Sequence, residues 1–206
     1  KETWKSFIRD LKARGLRNVL MITSDAHEGL CDAISKEFPQ AAWQRCQFHF
    51  SKNIAEKAPK KYQAGIRSEL SEMFNCITIE EARRKRDSII ADYQEVAESA
   101  MTCLDEGFES SMTAMILPKY LRQYFRTSNH IERINRELKR RSKVIGVFPN
   151  EASILRLMGS VLMELNDAAQ ARKVLFSPKT YNKLMSTEVK NKLIILANEQ
   201  QLLRVS

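Results

Sequence analysis

The stretch "VLMITSDAHEGL", residues 19–30, decides how this chain folds. Val19 to Ile22 is a short apolar, partly β-branched run behind the Arg14-Gly15 break, which is the pattern of an interior strand. The strand runs into Asp25, and helix-forming residues follow at once. In an open α/β sheet the carboxyl end of a strand faces a crevice instead of a packed layer, so ligand and catalytic groups collect there. Asp25-Ala26-His27-Glu28 also has the spacing of a capping box, with Asp25 accepting from a helix N–H and Glu28 reaching back. Asp25 is therefore either a cap or a chemical group, and the stretch alone does not choose.

Around this stretch the first 50 residues alternate helix and strand. A helix runs to Arg14 with Trp4, Phe7, Ile8 and Leu11 on one stripe; a strand covers about 18–23 and a helix about 26–38. After Pro39, "AAWQRCQFHF" reads as a second strand, with Cys46 and Phe48 on its buried face and Trp43, Arg45 and His49 on the other. Connections this long imply at least two parallel strands. Beyond Ser51 the pattern is helical throughout. Pro59 and Pro118 punctuate residues 51–125, a block that reads as an insertion, and "TIEEARRKRDSIIADYQEVAESAMTCL" predicts one long amphipathic helix opened by Thr78 and an acidic first turn. "TSNHIERINRELKRRSKVIG" predicts a helix that stops near Gly146. Another follows with Asn150 as its cap, and a last one spans about 186–203.

Thirty-four Lys plus Arg against 25 Asp plus Glu give a formal net charge of +9, the balance of a protein that meets a polyanion. At 206 residues and 43% hydrophobic the chain can bury a real core. Four scattered cysteines, with no CxxC pair and no signal peptide ahead of them, point to reduced thiols in the cytosol. No apolar run is long enough to span a membrane. The chain opens inside a helical pattern, as a piece of something longer would.

Glu132 is the second carboxylate of interest, because it starts a helix whose other faces carry Arg133, Arg136, Lys139, Arg140, Arg141 and Lys143. It too has a bland reading, with Asn129 as cap and Glu132 paired to Arg136. Two carboxylates brought together could instead hold Mg²⁺, which takes hard oxygen ligands and leaves positions for phosphate and water. The density of the basic helix exceeds that of an ordinary solvated face and suits phosphate contacts. Cys46-Gln47-Phe48-His49 looks like half a zinc site. The only other histidines, His27 and His130, supply no matching pair, so the ligand count for closed zinc falls short.

Three segments in this order and spacing, "SDAHEGL", "FPQAAWQRCQFHF" and "RTSNHIERINRELKRRSKVIGVFPNEASILRLMGSVLMELND", resemble the catalytic region of Mutator-type DDE transposases of bacterial insertion sequences. The resemblance covers nearly the whole chain. It implies an α/β, mostly helical, partial ribonuclease H-like fold: residues 1–50 as the first part of the core, 51–125 as an α-helical insertion, and 126–206 as the core helix with the catalytic Glu and the carboxyl-terminal helices. It implies metal-dependent cleavage of transposon-end DNA and strand transfer, with Asp25 and Glu132 as catalytic ligands of Mg²⁺ or Mn²⁺ and Cys46 and His49 as a signature near the active site. Arg133, Arg136, Lys139, Arg140 and Arg141 would contact DNA. The expected partners are transposon-end and target DNA and further copies of the protein, in the cytoplasm at a bacterial nucleoid. The family's first catalytic Asp belongs on an earlier strand upstream of these residues, so this chain by itself is expected to be inactive. Ala169 also stands near a place where the family commonly carries Trp. A non-catalytic DNA-binding or assembly module, a truncated or domesticated copy, is the alternative.

Overall fold

The computed structural model describes residues 2–171 and 176–205. They form two compact units, Lys1–Ser128 with Leu184–Ser206, and Asn129–Lys183.

The first unit is built on two short parallel strands, β1 (Met21–Ser24) and β2 (Ala42–Arg45), in the register Met21↔Ala42 and Ile22↔Trp43. Strand alternation sends these two pairs to opposite faces. On one face Ile22 and Trp43 pack with Ile8 of α1 (Glu2–Ala13) and with Ala33 and Ile34 of α2 (Glu28–Glu37). On the other, Met21 and Ala42 meet Leu117 and Val189, Leu193 and Ala197, the last three from the closing helix (Thr187–Val205). The α1 stripe is only partly used: Ile8 is buried, whereas Trp4 and Phe7 remain exposed and pack edge to face.

A helical block adjoins this sheet: α3 (Gln47–Glu56), α4 (Lys60–Phe74), α5 (Ile79–Tyr93) and α6 (Glu98–Ser111). Their core joins Phe50 and Ile54, Ile66 and Leu70, Ile89, and Leu104 and Phe108. A 3₁₀ turn (Thr113–Ile116) and α7 (Lys119–Phe125) lead out of it. The wholly helical reading of this region holds, and so does the Thr78 cap. Its hydroxyl accepts from Glu81 N–H while the Glu81 carboxylate accepts from Thr78 N–H.

Two local expectations are corrected. The single long helix from Thr78 is two, α5 and α6, parted by a turn at residues 94–97, so that α6 packs back on α5 around Ile89 and Leu104. Burial of both apolar stripes in one core outweighs the continuous helical propensity of a segment with no Gly or Pro. The second strand also ends sooner than expected. It stops at Arg45, α3 begins directly after Cys46, and Phe48 is 58% exposed instead of buried. Residues 47, 50, 54 and 55 are the buried positions, which is helical spacing, and Phe50 and Ile54 reach the block's core only on a helix.

Neither outer position of this small sheet is simple. Along β2, Gln200 of the closing helix acts as a substitute strand residue, its Oε1 accepting from Trp43 N–H at 2.8 Å and its Nε2 donating to Trp43 O at 2.9 Å. The outer edge of β1 has no strand beside it among the described residues.

The second unit contains α8 (Asn129–Ile145) and α9 (Glu151–Gln170), packed together, followed by α10 (Pro178–Leu184), whose last residue belongs to the first unit. Gly146, at φ +72°, ends α8 in the left-handed conformation that glycine adopts without steric cost. Asn150 caps α9, accepting from Ser153 N–H at 2.9 Å. The carboxyl-terminal end expected for α9, residues 172–175, lies outside the described residues. The closing helix, α11 (Thr187–Val205), matches the predicted last helix, while α10 went unpredicted.

Candidate functional site

Asp25 stands at the carboxyl end of β1 and is exposed. It is not the cap of α2. That role belongs to His27, whose Nδ1 accepts from Leu30 N–H at 3.3 Å, and α2 starts at Glu28. Three residues, Asp25 to His27, link the strand to the helix, which leaves Asp25 two positions too early for the box. Its Oδ1 accepts a single long hydrogen bond, 3.4 Å, from His27 N–H. Just below it Ser24 is buried, its hydroxyl donating to Asp25 O and accepting from the Trp43 indole. The strand end is therefore fixed while the carboxylate is left open to solvent.

Cys46 and His49 occupy the junction of β2 and α3. Cys46 is fully buried, continues the ladder by donating its N–H to Ser24 O at 2.7 Å, and its Sγ accepts from Ser128 N–H and Oγ at 3.4 and 3.3 Å. Gln47 N–H donates to Arg126 O, tying this junction to the end of α7. The His49 ring lies edge to face with Phe48, 5.4 Å between centroids. The signature thus fastens the carboxyl ends of both strands and the exit of α7 into one corner.

In the second unit Glu132 lies in the first turn of α8, where the positive end of the helix dipole favours a carboxylate. Asn129 is itself inside the helix, so the expected Asn129 cap does not form. Arg133, Arg136 and Lys139 are exposed, with no carboxylate partner among the described residues. Arg140 and Arg141 are engaged: both grip Glu137, at 2.6 and 2.9 Å, and Arg141 also reaches Glu164 on α9 at 3.0 Å. Hydrogen bonds from Arg140 and then Arg141 pull the Glu137 carboxyl down to about 2. The basic helix therefore has three unneutralised cations along it and, nearer its end, an ion-paired clasp to its neighbour.

Sequence reasoning missed the buried amides Gln44 and Gln47. Gln44 Nε2 donates to Ser111 O and Arg45 O, and its Oε1 accepts from Ala114 N–H, while Gln47 Nε2 also donates to Ser111 O. No spacing rule marks a glutamine as buried, since the partners that satisfy it are brought by the fold.

These features define an α/β protein with an open carboxylate at the end of a parallel strand and a basic helix. The chain belongs to the Mutator family of transposases, whose family profile matches residues 1–171. It is 40% identical over 168 residues to the transposase for insertion sequence element IS256 in transposon Tn4001 of Staphylococcus aureus, covering 81% of this chain and 43% of that protein. It is similar at 36% identity over 171 residues to the transposase for IS1081 of Mycobacterium tuberculosis, covering 80% and 40%. The transposase for ISRM5 of Rhizobium meliloti is 32% identical over 167 residues, covering 81% and 42%. The chain thus spans less than half the length of these relatives. No described helix is long and apolar enough to cross a membrane.

Proposed function

We propose that this chain is the carboxyl-terminal part of the catalytic region of a DDE transposase, which in complete form cleaves transposon-end DNA and joins the freed 3′-hydroxyl to target DNA. The observation that carries the reading is Asp25: an exposed carboxylate at the carboxyl end of a parallel strand, relieved of capping by His27, in a chain of the Mutator family. Asp25 and Glu132 would be ligands of Mg²⁺ or Mn²⁺. The fit is one of donor chemistry, since carboxylate oxygens are the hard ligands such ions take, and among the described residues Asp25 has only one long hydrogen bond to give up. When bound, the ions would activate the attacking hydroxyl and steady the leaving oxygen.

The chain's own residues would do the rest. Arg133, Arg136 and Lys139 would hold phosphates, with Arg140 and Arg141 contributing as far as Glu137 leaves them free. Cys46 would keep the strand ends and α7 in register, and His49 would orient a group near the site or contact DNA. The ribonuclease H-like reading, with residues 51–125 as an inserted helical block, is supported by the parallel pair and by the open outer edge of β1. A strand carrying the first Asp would cover that edge.

The experiment uses a complete transposase that carries this chain. Asp25→Asn and Glu132→Gln should each abolish cleavage of labelled transposon-end DNA while leaving its binding nearly intact. Full activity in Asp25→Asn, or equal loss of binding, would overturn the assignment. The exposed cations on α8 also favour a second reading, a non-catalytic DNA-binding or assembly module. Salt-sensitive DNA binding by the chain, together with cleavage indifferent to both carboxylates, would select it.

A further inference from the structure

A cleft of about 260 Å³ opens beside the first turn of α3, wholly within the first unit. Its walls include Phe48 from α3, Arg67, Ser71 and Phe74 from α4, Asn75 just after it, and Arg126 behind α7. No carboxylate lines it. Arg67 is exposed and has no acidic partner among the described residues. Arg126 is held by neutral groups, its Nη1 donating to Asn75 Oδ1 at 2.9 Å and to Phe74 O at 3.4 Å, so its charge is oriented without being neutralised. Phe48 is 58% exposed at the mouth, on a helix whose other apolar residues, Phe50 and Ile54, are fully buried.

An exposed phenylalanine alone would need no explanation. What distinguishes this one is the company of two uncompensated guanidinium groups and of neutral side chains that can donate and accept. A ligand matched to this set has a flat apolar face, polar edges and a negative charge, which describes a nucleotide. A paired base inside a duplex has both faces covered by its neighbours and cannot stack on a side chain. Sites that take unpaired nucleic acid combine an aromatic platform with cations that follow the backbone, and a cleft of this size suits one base.

We propose that this cleft receives a single unpaired nucleotide of DNA, the base stacked on Phe48 and the phosphate held by Arg67 and Arg126. The proposal rests on the reading of the chain as a DNA transposase and adds to it a site that reads distortion in the DNA, built from residues other than Asp25, Glu132 and the cations of the basic helix. Stacking supplies preference for an unpaired base; the guanidinium groups act on any phosphate.

The test titrates the 206-residue protein into a fluorescein-labelled duplex and into the same duplex with one extrahelical adenine, reading anisotropy at several salt concentrations. The unaltered protein should bind the bulged DNA more tightly. Phe48→Ala should weaken binding to the bulged DNA by about five- to 150-fold, the range that loss of one stacked base implies, and leave the plain duplex unchanged. Phe48→Trp should keep the preference. Arg67→Gln should weaken both DNAs and reduce the salt slope by about one. Circular dichroism confirms that the variants are folded. An unaltered protein without preference for the bulge overturns the proposal, as does a Phe48→Ala variant that keeps the preference or loses both DNAs equally, the result expected if Phe48 belongs to a protein contact. Duplex binding without preference leaves the transposase reading standing; binding to neither DNA sinks both.

Discussion

Replacing Gln44 by Met should be the most damaging near-isosteric change in the first unit. Gln44 is fully buried between β2 and the end of α6. Its amide makes three short bonds: Nε2 to Ser111 O at 2.7 Å and to Arg45 O at 2.6 Å, and Oε1 from Ala114 N–H at 2.7 Å. Methionine fills nearly the same space, so the loss is of hydrogen bonds and not of packing. Ser111 O keeps a donor, because Gln47 Nε2 also reaches it at 2.9 Å. The Ala114 N–H and Arg45 O lose theirs, and an orphaned buried group costs roughly 1–3 kcal/mol, so the expected loss is about 2–4 kcal/mol. Gln47→Met is the internal control. It removes one bond from an oxygen that Gln44 still satisfies, and should cost about 0.5–1.5 kcal/mol. Urea titration followed by tryptophan fluorescence reads the difference, since Trp43 is the residue next to Gln44 in β2. The midpoint should fall by roughly 1–2 M for Gln44→Met, taking a slope near 2 kcal/mol/M, and by clearly less for Gln47→Met. Equal midpoints for the two variants would refute the reasoning.

Three further outcomes are expected. Ala at Gly107 would drive its Cβ inside van der Waals distance of both the Phe50 ring and the Arg45 guanidinium, which already stack at 4.3 Å. It should lower stability by about 1–3 kcal/mol, seen as a lower Tm. His27→Ala should cost about 1 kcal/mol as a lost cap, whereas Asp25→Ala should stay within about 0.5 kcal/mol in the same urea titration; the reverse order would return Asp25 to structural duty. Glu137, held down to about 2 from the ordinary 4.5, supports the folded state fully above pH 4.5, and that support is lost as the pH falls towards 2. Helical circular dichroism of Glu137→Gln should therefore differ from the unaltered protein above pH 4.5 and converge with it near pH 2.

Most of the fold was legible wherever one periodicity dominated. The β1 run, the Thr78 helix start, the Gly146 stop and the Asn150 cap are local signals, set by residues within a few positions of one another, and all four appear in the structure. The errors share a cause. "AAWQRCQFHF" alternates as well as a strand does, which puts Phe48 on a buried strand face, and the α5–α6 segment reads as one helix because nothing in it breaks a helix. In both places the decision belongs to a core assembled from distant segments: Phe50 and Ile54 are drawn inward on α3, and Leu104 folds back to meet Ile89. Asp25 is the intermediate case. Its place at a strand end was readable, but whether it or His27 capped α2 turned on where the turn after β1 ended.

By itself the sequence determined the order and type of the main elements, the basic character of α8, and, through three separated motifs, membership of the Mutator family. These depend on local propensity, on charge, and on residue identities at fixed spacing. Tertiary structure alone decided which polar groups are satisfied and which are left open: Gln44 and Gln200 consumed by the backbone of β2, Arg140 and Arg141 drawn to Glu137, Asp25 released, and Phe48 exposed beside Arg67 and Arg126. Hydrogen bonding and burial are relations between residues far apart in the chain, and only the packed core brings their partners together.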